Sequence, residues 1–117
     1  MGMLTCRMRL DHIDGEGFIE TEALVDTGAA LTVVPAARLA EMGVAPFDTV
    51  WLSLADGHRV EYPLGKAVAT VQGRTIETLV VFGEDSETVL LGAYTLEGLR
   101  FAVDPLEARL IESVGRL

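Results

Sequence analysis

A chain of 117 residues is long enough to bury one core and too short for two independent ones, so a single domain over 1–117 is expected. Half of the residues are apolar and 23% are charged, which excludes a disordered chain. With 18 Asp and Glu against 9 Lys and Arg, the net charge of −9 leaves no basic face for phosphates and excludes nucleic acid as an expected partner.

The pattern along the chain is mostly that of short strands. Residues 4–10 alternate apolar and polar, the period of a half-buried strand, with Arg7 and Arg9 outward and Cys6 as a small core residue beside Leu4, Met8 and Leu10. Ile13-Asp14-Gly15-Glu16-Gly17 is a turn, and a second strand runs from Phe18 to Val25 with Glu20 and Glu22 on its wet face. Leu31–Val34 is a β-branched run. Pro35 then opens a short helix over Ala36–Met42, which Gly43 closes. Strands over Val50–Leu54 and Arg59–Leu64 flank Asp56-Gly57, a strong hairpin signal, and Trp51 reads as a core or interface aromatic. Gln72-Gly73 reverses the chain between strands at Ala67–Val71 and Thr75–Phe82. Val89–Leu91 is a short apolar strand ending at Gly92, and Tyr94–Leu99 forms one or two helical turns. Strands near Phe101–Val103 and Arg109–Ile111 follow, with Asp104-Pro105 as a strand-ending turn. The expectation is a mainly β domain with two short helices.

Cys6 is the one cysteine, so neither an intrachain disulfide nor a thiolate cluster can form. Apolar runs fall well short of the ~20 residues of a membrane helix, and the N-terminus has no signal-peptide core. Met1-Gly2 begins a myristoylation pattern, but Cys6 stands where that motif needs Ser or Thr. A cytoplasmic protein with no membrane partner is expected. His12 and His58 sit beside turn residues without a third ligand at metal spacing and read as solvated loop side chains. There is no Ser-His-Asp set, phosphate loop or dinucleotide fingerprint, and neither a metal nor an organic cofactor is implied.

One stretch carries chemistry. Leu24-Val25-Asp26-Thr27-Gly28-Ala29 sets a carboxylate at the end of an apolar run, where an ionised Asp costs several kcal/mol or more unless it is paired or hydrogen-bonded. As an isolated tripeptide, Asp-Thr-Gly also fits a turn in which Asp bonds its own backbone. Its setting favours a site. Ala23 to Ala29 resembles the active-site strand and loop of retroviral-type (retropepsin-like) aspartic proteases. Val89-Leu90-Leu91-Gly92 resembles that family's second signature, and Asp56-Gly57 stands where such proteins carry a flap. The resemblance runs from about Met3 to Leu110, and small bacterial single-domain members of the clan are the nearest comparison.

The resemblance implies a homodimeric retropepsin-like acid-protease fold and an endopeptidase acting on polypeptides. The motif occurs once, so a working site needs Asp26 from each of two copies across a two-fold axis. Thr27 would bond across that axis, and Gly28 would donate toward the carboxylate. Ala29, Ala30 and Leu90 would meet substrate. Leu91 would pack beneath the loop, and Leu54, Ala55, Asp56, Gly57 and His58 would close over an extended peptide. Three positions depart from the family pattern. Ala29 lacks the hydroxyl of pepsin-like relatives, which implies a pH optimum less acidic than pepsin's. Ala30 replaces an Asp that binds substrate backbone, and Ala93 replaces a common Arg. The alternative reading is a dimerisation or peptide-binding module of the same fold with little or no proteolysis.

Overall fold

The structure is a computed structural model that describes residues 3–85 and 88–115. The Met1-Gly2 pattern lies outside the described residues. Nine strands and two short helices follow one another as β1 (Thr5–Asp11), β2 (Phe18–Val25), β3 (Thr32–Pro35), α1 (Ala36–Glu41), β4 (Asp48–Ser53), β5 (Arg59–Val71), β6 (Arg74–Gly83), β7 (Leu90–Leu91), α2 (Ala93–Gly98), β8 (Phe101–Asp104) and β9 (Arg109–Glu112), counted among the described residues.

Alternation makes the first hairpin. Met8 and Leu10 point inward and are fully buried, while Arg7 and Arg9 face solvent opposite Glu22 and Glu20 of β2. The Arg9 guanidinium lies 4.0 Å above the Phe18 ring and bonds Asp11. Cys6 is half-buried and packs against the core, where burial and then the nearby Glu22 push its thiol pKa up.

Seven strands form one sheet in the order β1-β2-β7-β3-β6-β5-β4, and β1 also pairs with β5, which curls the sheet back on itself. β5 is continuous, where the sequence suggested two strands separated near Gly65. One of its edges pairs with β4 from Arg59 to Leu64 and then with β1 from Val68 to Thr70; the other pairs with β6. Gly65 does not break the strand because its missing side chain admits the Phe82 ring: a Cβ there would lie 2.9 Å from Phe82 Cε1. The ladder partners, not the glycine, decide the outcome.

Pro35 is the last residue of β3 and the N-cap of α1, one position earlier than expected, and Met42 caps the far end. Trp51 corrects the core reading. It is 64% exposed because β4 is an edge strand and Trp51 stands opposite Glu61 on its outward side. The core is instead aliphatic, built from Leu39, Val34, Val71, Val80, Leu91 and Leu99 with Met8 and Leu10. β8 and β9 form a separate two-stranded sheet. No described helix is long and apolar enough to cross a membrane.

Candidate active site

Asp26 is delivered by the end of β2. Parallel pairing sets Leu24 beside Leu90 and Val25 beside Leu91, and the ladder runs one residue further, with Asp26 N–H donating to the Leu91 carbonyl at 3.0 Å. Leu91 is fully buried beneath the loop. The chain then turns: Ala29 N–H donates to the Asp26 carbonyl at 3.1 Å, and Gly28 N–H donates to Asp26 Oδ1 at 3.0 Å. Asp26 is half-buried, whereas Thr27 and Gly28 are exposed. An acceptor at the rim of an apolar strand, fed by a backbone N–H, is a carboxylate kept accessible yet fixed in direction.

The loop is anchored from below by α2. Ala93 N–H donates to the Ala29 carbonyl at 2.8 Å and Tyr94 N–H to the Ala30 carbonyl at 3.0 Å. Gly92 N–H reaches Thr32 Oγ1 at 3.1 Å, and a Cβ at Gly92 would run into the Leu31 carbonyl, so the close approach needs glycine. Beneath it, the Thr32 and Thr95 hydroxyls are 2.6 Å apart and those of Thr95 and Thr78 are 2.8 Å apart. All three threonines are buried, and their hydroxyls satisfy one another. This chain of hydroxyls was not anticipated from the sequence. Its members lie on β3, β6 and α2, and each alone reads as an ordinary β-branched or helical residue.

Over the loop stands the β4–β5 hairpin. Leu54 N–H donates to the His58 carbonyl at 2.7 Å, and Gly57 takes φ +90° to close the turn. Asp56 Oδ1 accepts from His58 N–H at 2.9 Å, and its Oδ2 lies 2.8 Å from His58 Nδ1. Those two contacts, backbone first, hold the Asp56 pKa below the usual carboxylate range. The reading of His58 as a solvated loop residue is met only in part: it is exposed, but tied to Asp56.

Between loop and hairpin lies a cavity of about 570 Å³. Gly28, Ala29, Ala30 and Leu31 line it from the loop, Leu52, Leu54 and Tyr62 from the hairpin, and Leu90 from β7. Asp26 and Thr27 instead line a neighbouring concavity on the other side of the loop. Ala55, Asp56, Gly57 and His58 form the hairpin tip and line neither. Tyr62 escaped the sequence reading, although alternation along β5 puts Val60, Tyr62 and Leu64 on its inward side. Where Ala30 and Leu31 meet it, the cleft wall is apolar. Among the described residues, no cluster of three or more His, Cys, Asp or Glu could hold a metal ion.

A curled β sheet with an Asp-bearing loop facing a long hairpin defines the retropepsin-like class of aspartic protease folds. The sequence model of the family described as gag-polyprotein putative aspartyl protease matches residues 12–98, and the chain belongs to that family. Among solved structures, the EIAV protease complexed with the inhibitor HBY-793 is similar at a TM-score of 0.59 and 22% identity, over 94% of this chain and 93% of that one. The simian foamy virus (mac) protease gives 0.53 at 22% identity, over 78% and 91%. The foamy viral protease-reverse transcriptase in complex with an RNA/DNA hybrid gives 0.58 at 20% identity; the match covers 81% of this chain and only 12% of that protein. At these identities the likeness is one of fold. No curated protein sequence matches the chain. The expected mainly β, retropepsin-like fold with two short helices is therefore met.

Proposed function

We propose that the chain is one subunit of a homodimeric aspartic endopeptidase, with a single site made from Asp26 of both copies. The seating of Asp26 carries the reading: a half-buried carboxylate, oriented by Gly28 N–H, on a loop that α2 clamps beside a hairpin-covered apolar cleft. Two carboxylates about 3 Å apart do not both ionise, the pairing already known for aspartic proteases. The ionised Asp takes a proton from a water held between them as the water oxygen attacks the peptide carbonyl carbon. The protonated Asp donates to the carbonyl oxygen. Collapse of the tetrahedral intermediate then delivers a proton to the departing amine.

The remaining residues take supporting roles. Thr27 bonds across the two-fold, and Leu54 to His58 close over an extended peptide recognised through its backbone. Ala29, Ala30, Leu31, Tyr62 and Leu90 favour an apolar substrate side chain in the cleft. The test sets the purified chain against its Asp26→Asn variant on a diverse peptide library between about pH 4 and 7. Cleavage by the parent alone is expected. No cleavage by either, with peptide binding retained, would replace this reading with that of a peptide-binding module.

A further inference from the structure

We infer that a concavity beside Lys66, at the root of the β4–β5 hairpin and apart from the cleft, binds a small carboxylate with an aromatic body. The inference does not depend on the Asp26 reading. The concavity measures about 330 Å³, at the lower end of the range for small-ligand sites. The β1–β5 ladder ends with Asp11 opposite Val68, and residues beyond it flank the opening: His12 and Ile13 from the β1–β2 turn, Lys66 from β5. Gly43, Val44 and Phe47 close it from the segment between α1 and β4.

The walls are tied to the body before a ligand arrives. His12 N–H donates to the Gly17 carbonyl at 2.8 Å, Val44 N–H to that of Leu39 at 3.0 Å and Phe47 N–H to that of Leu64 at 3.0 Å. Phe47 is 53% exposed and Ile13 45%, so two large apolar side chains meet water at one opening. A flat ring seated against them removes both from water and offers the Phe47 ring an aromatic partner.

Two donors accompany this apolar surface. Lys66 is the one lysine of the sequence, and its ammonium lies 5.0 Å from the centre of the Phe47 ring. Attraction to the ring face holds the charge at the opening while its N–H groups stay available. Ion pairs among the described residues use arginines and the two histidines, and Lys66 enters none of them. His12 Nδ1 accepts from Asp14 N–H at 3.0 Å, which puts the neutral ring's proton on Nε2. Cδ2, bonded to that nitrogen, lies 3.9 Å from where a Gly43 Cβ would stand, so this edge of the ring is turned to the concavity. The His12 side chain is 21% exposed, less than a solvated loop residue would be.

The sign of the ligand follows from what lines the other openings. The cleft has no charged lining, the Asp26 concavity has Asp26 and Asp104, and another beside α2 has Glu77 and Glu97. Of these four, only the opening at Lys66 carries a cation, and no carboxylate lines it. Neighbouring carboxylates are engaged elsewhere: Asp14 lies on the Nδ1 side of His12, and Asp48 Oδ1 accepts from Thr49 N–H at 2.8 Å. At ordinary salt, the more distant exposed charges are screened beyond about 8–10 Å. A carboxylate therefore seats between Lys66 and His12 Nε2, with its ring toward Phe47 and Ile13.

The test is titration of the full chain with naphthoate and with its uncharged amide, followed by backbone amide NMR and by the side-chain signal of the one lysine. Naphthoate is expected to saturate with a Kd of about 1 mM. It should shift Ile13, Val44, Phe47 and Lys66 and leave Leu52, Tyr62 and Leu90 of the cleft unmoved. The amide should bind at least about tenfold more weakly, as should naphthoate to Lys66→Gln, whose circular-dichroism spectrum should match the parent's. Equal binding of acid and amide, unchanged binding by Lys66→Gln, shifts confined to the cleft, or no saturation below about 20 mM would each overturn the inference. Acetyl-alanyl-phenylalanine with a free carboxylate separates the two sources of this chemistry, read from the same Phe47 and Lys66 signals. Tighter binding than naphthoate upholds the site and assigns it to the chain end of a peptide. Weaker binding than naphthoate upholds the site and assigns it to a free aromatic acid.

Discussion

The hydroxyl of Thr95 links the cleft loop to the core. It stands between Thr32, which accepts from Gly92 N–H, and Thr78 on the central sheet. Replacing it with valine keeps the shape and leaves two buried hydroxyls each short of a partner. Thr95→Val is therefore expected to cost about 1–3 kcal/mol, read as a lower urea midpoint with an unchanged slope. An unchanged midpoint would show that the hydroxyls do not hold the loop. This scale divides what the sequence reveals. The turn that follows Asp26 was legible because turn chemistry beside an apolar run is local. The threonine chain was not, because positions 32, 78 and 95 are far apart in sequence and meet only through β3, β6 and α2.

The β4–β5 hairpin shows how elements outrank residues. Asp56-Gly57 announced its turn, and the turn is there. Yet the two strands read at Arg59–Leu64 and Ala67–Val71 are one, because ladder pairing continues through Gly65, where the Phe82 ring packs. Trp51, read as a core or interface aromatic, lies outward on an edge strand, which removes the core alternative. The tip carries a pH dependence whose sign is fixed. The Asp56 pKa is depressed by His58, so the contact's contribution is fully present above the ordinary carboxylate value, about 3.9, and is lost as pH falls through the lowered folded value. The His58 amide proton shift should titrate with a midpoint below that ordinary value, and Asp56→Asn should abolish the titration. A midpoint at or above it would mean that the tip contact does not form in solution.

At the scale of the whole molecule, the fold presents two openings on either side of one loop. The apolar cleft lies under the hairpin, while the concavity holding Asp26 and Thr27 adjoins β8 and its turn. The overall β pattern was legible because alternation and turn residues are short-range signals. The separate β8–β9 sheet was not, because two strands can be read from periodicity while the sheet that receives them cannot. Catalysis as proposed needs one Asp26 from each of two copies. Mixing parent with Asp26→Asn under conditions where subunits are dimeric and exchange freely tests it directly. At constant total protein, total activity should fall as the square of the parent fraction. A fall in direct proportion to that fraction would mean that each chain cleaves alone, and would contradict the account.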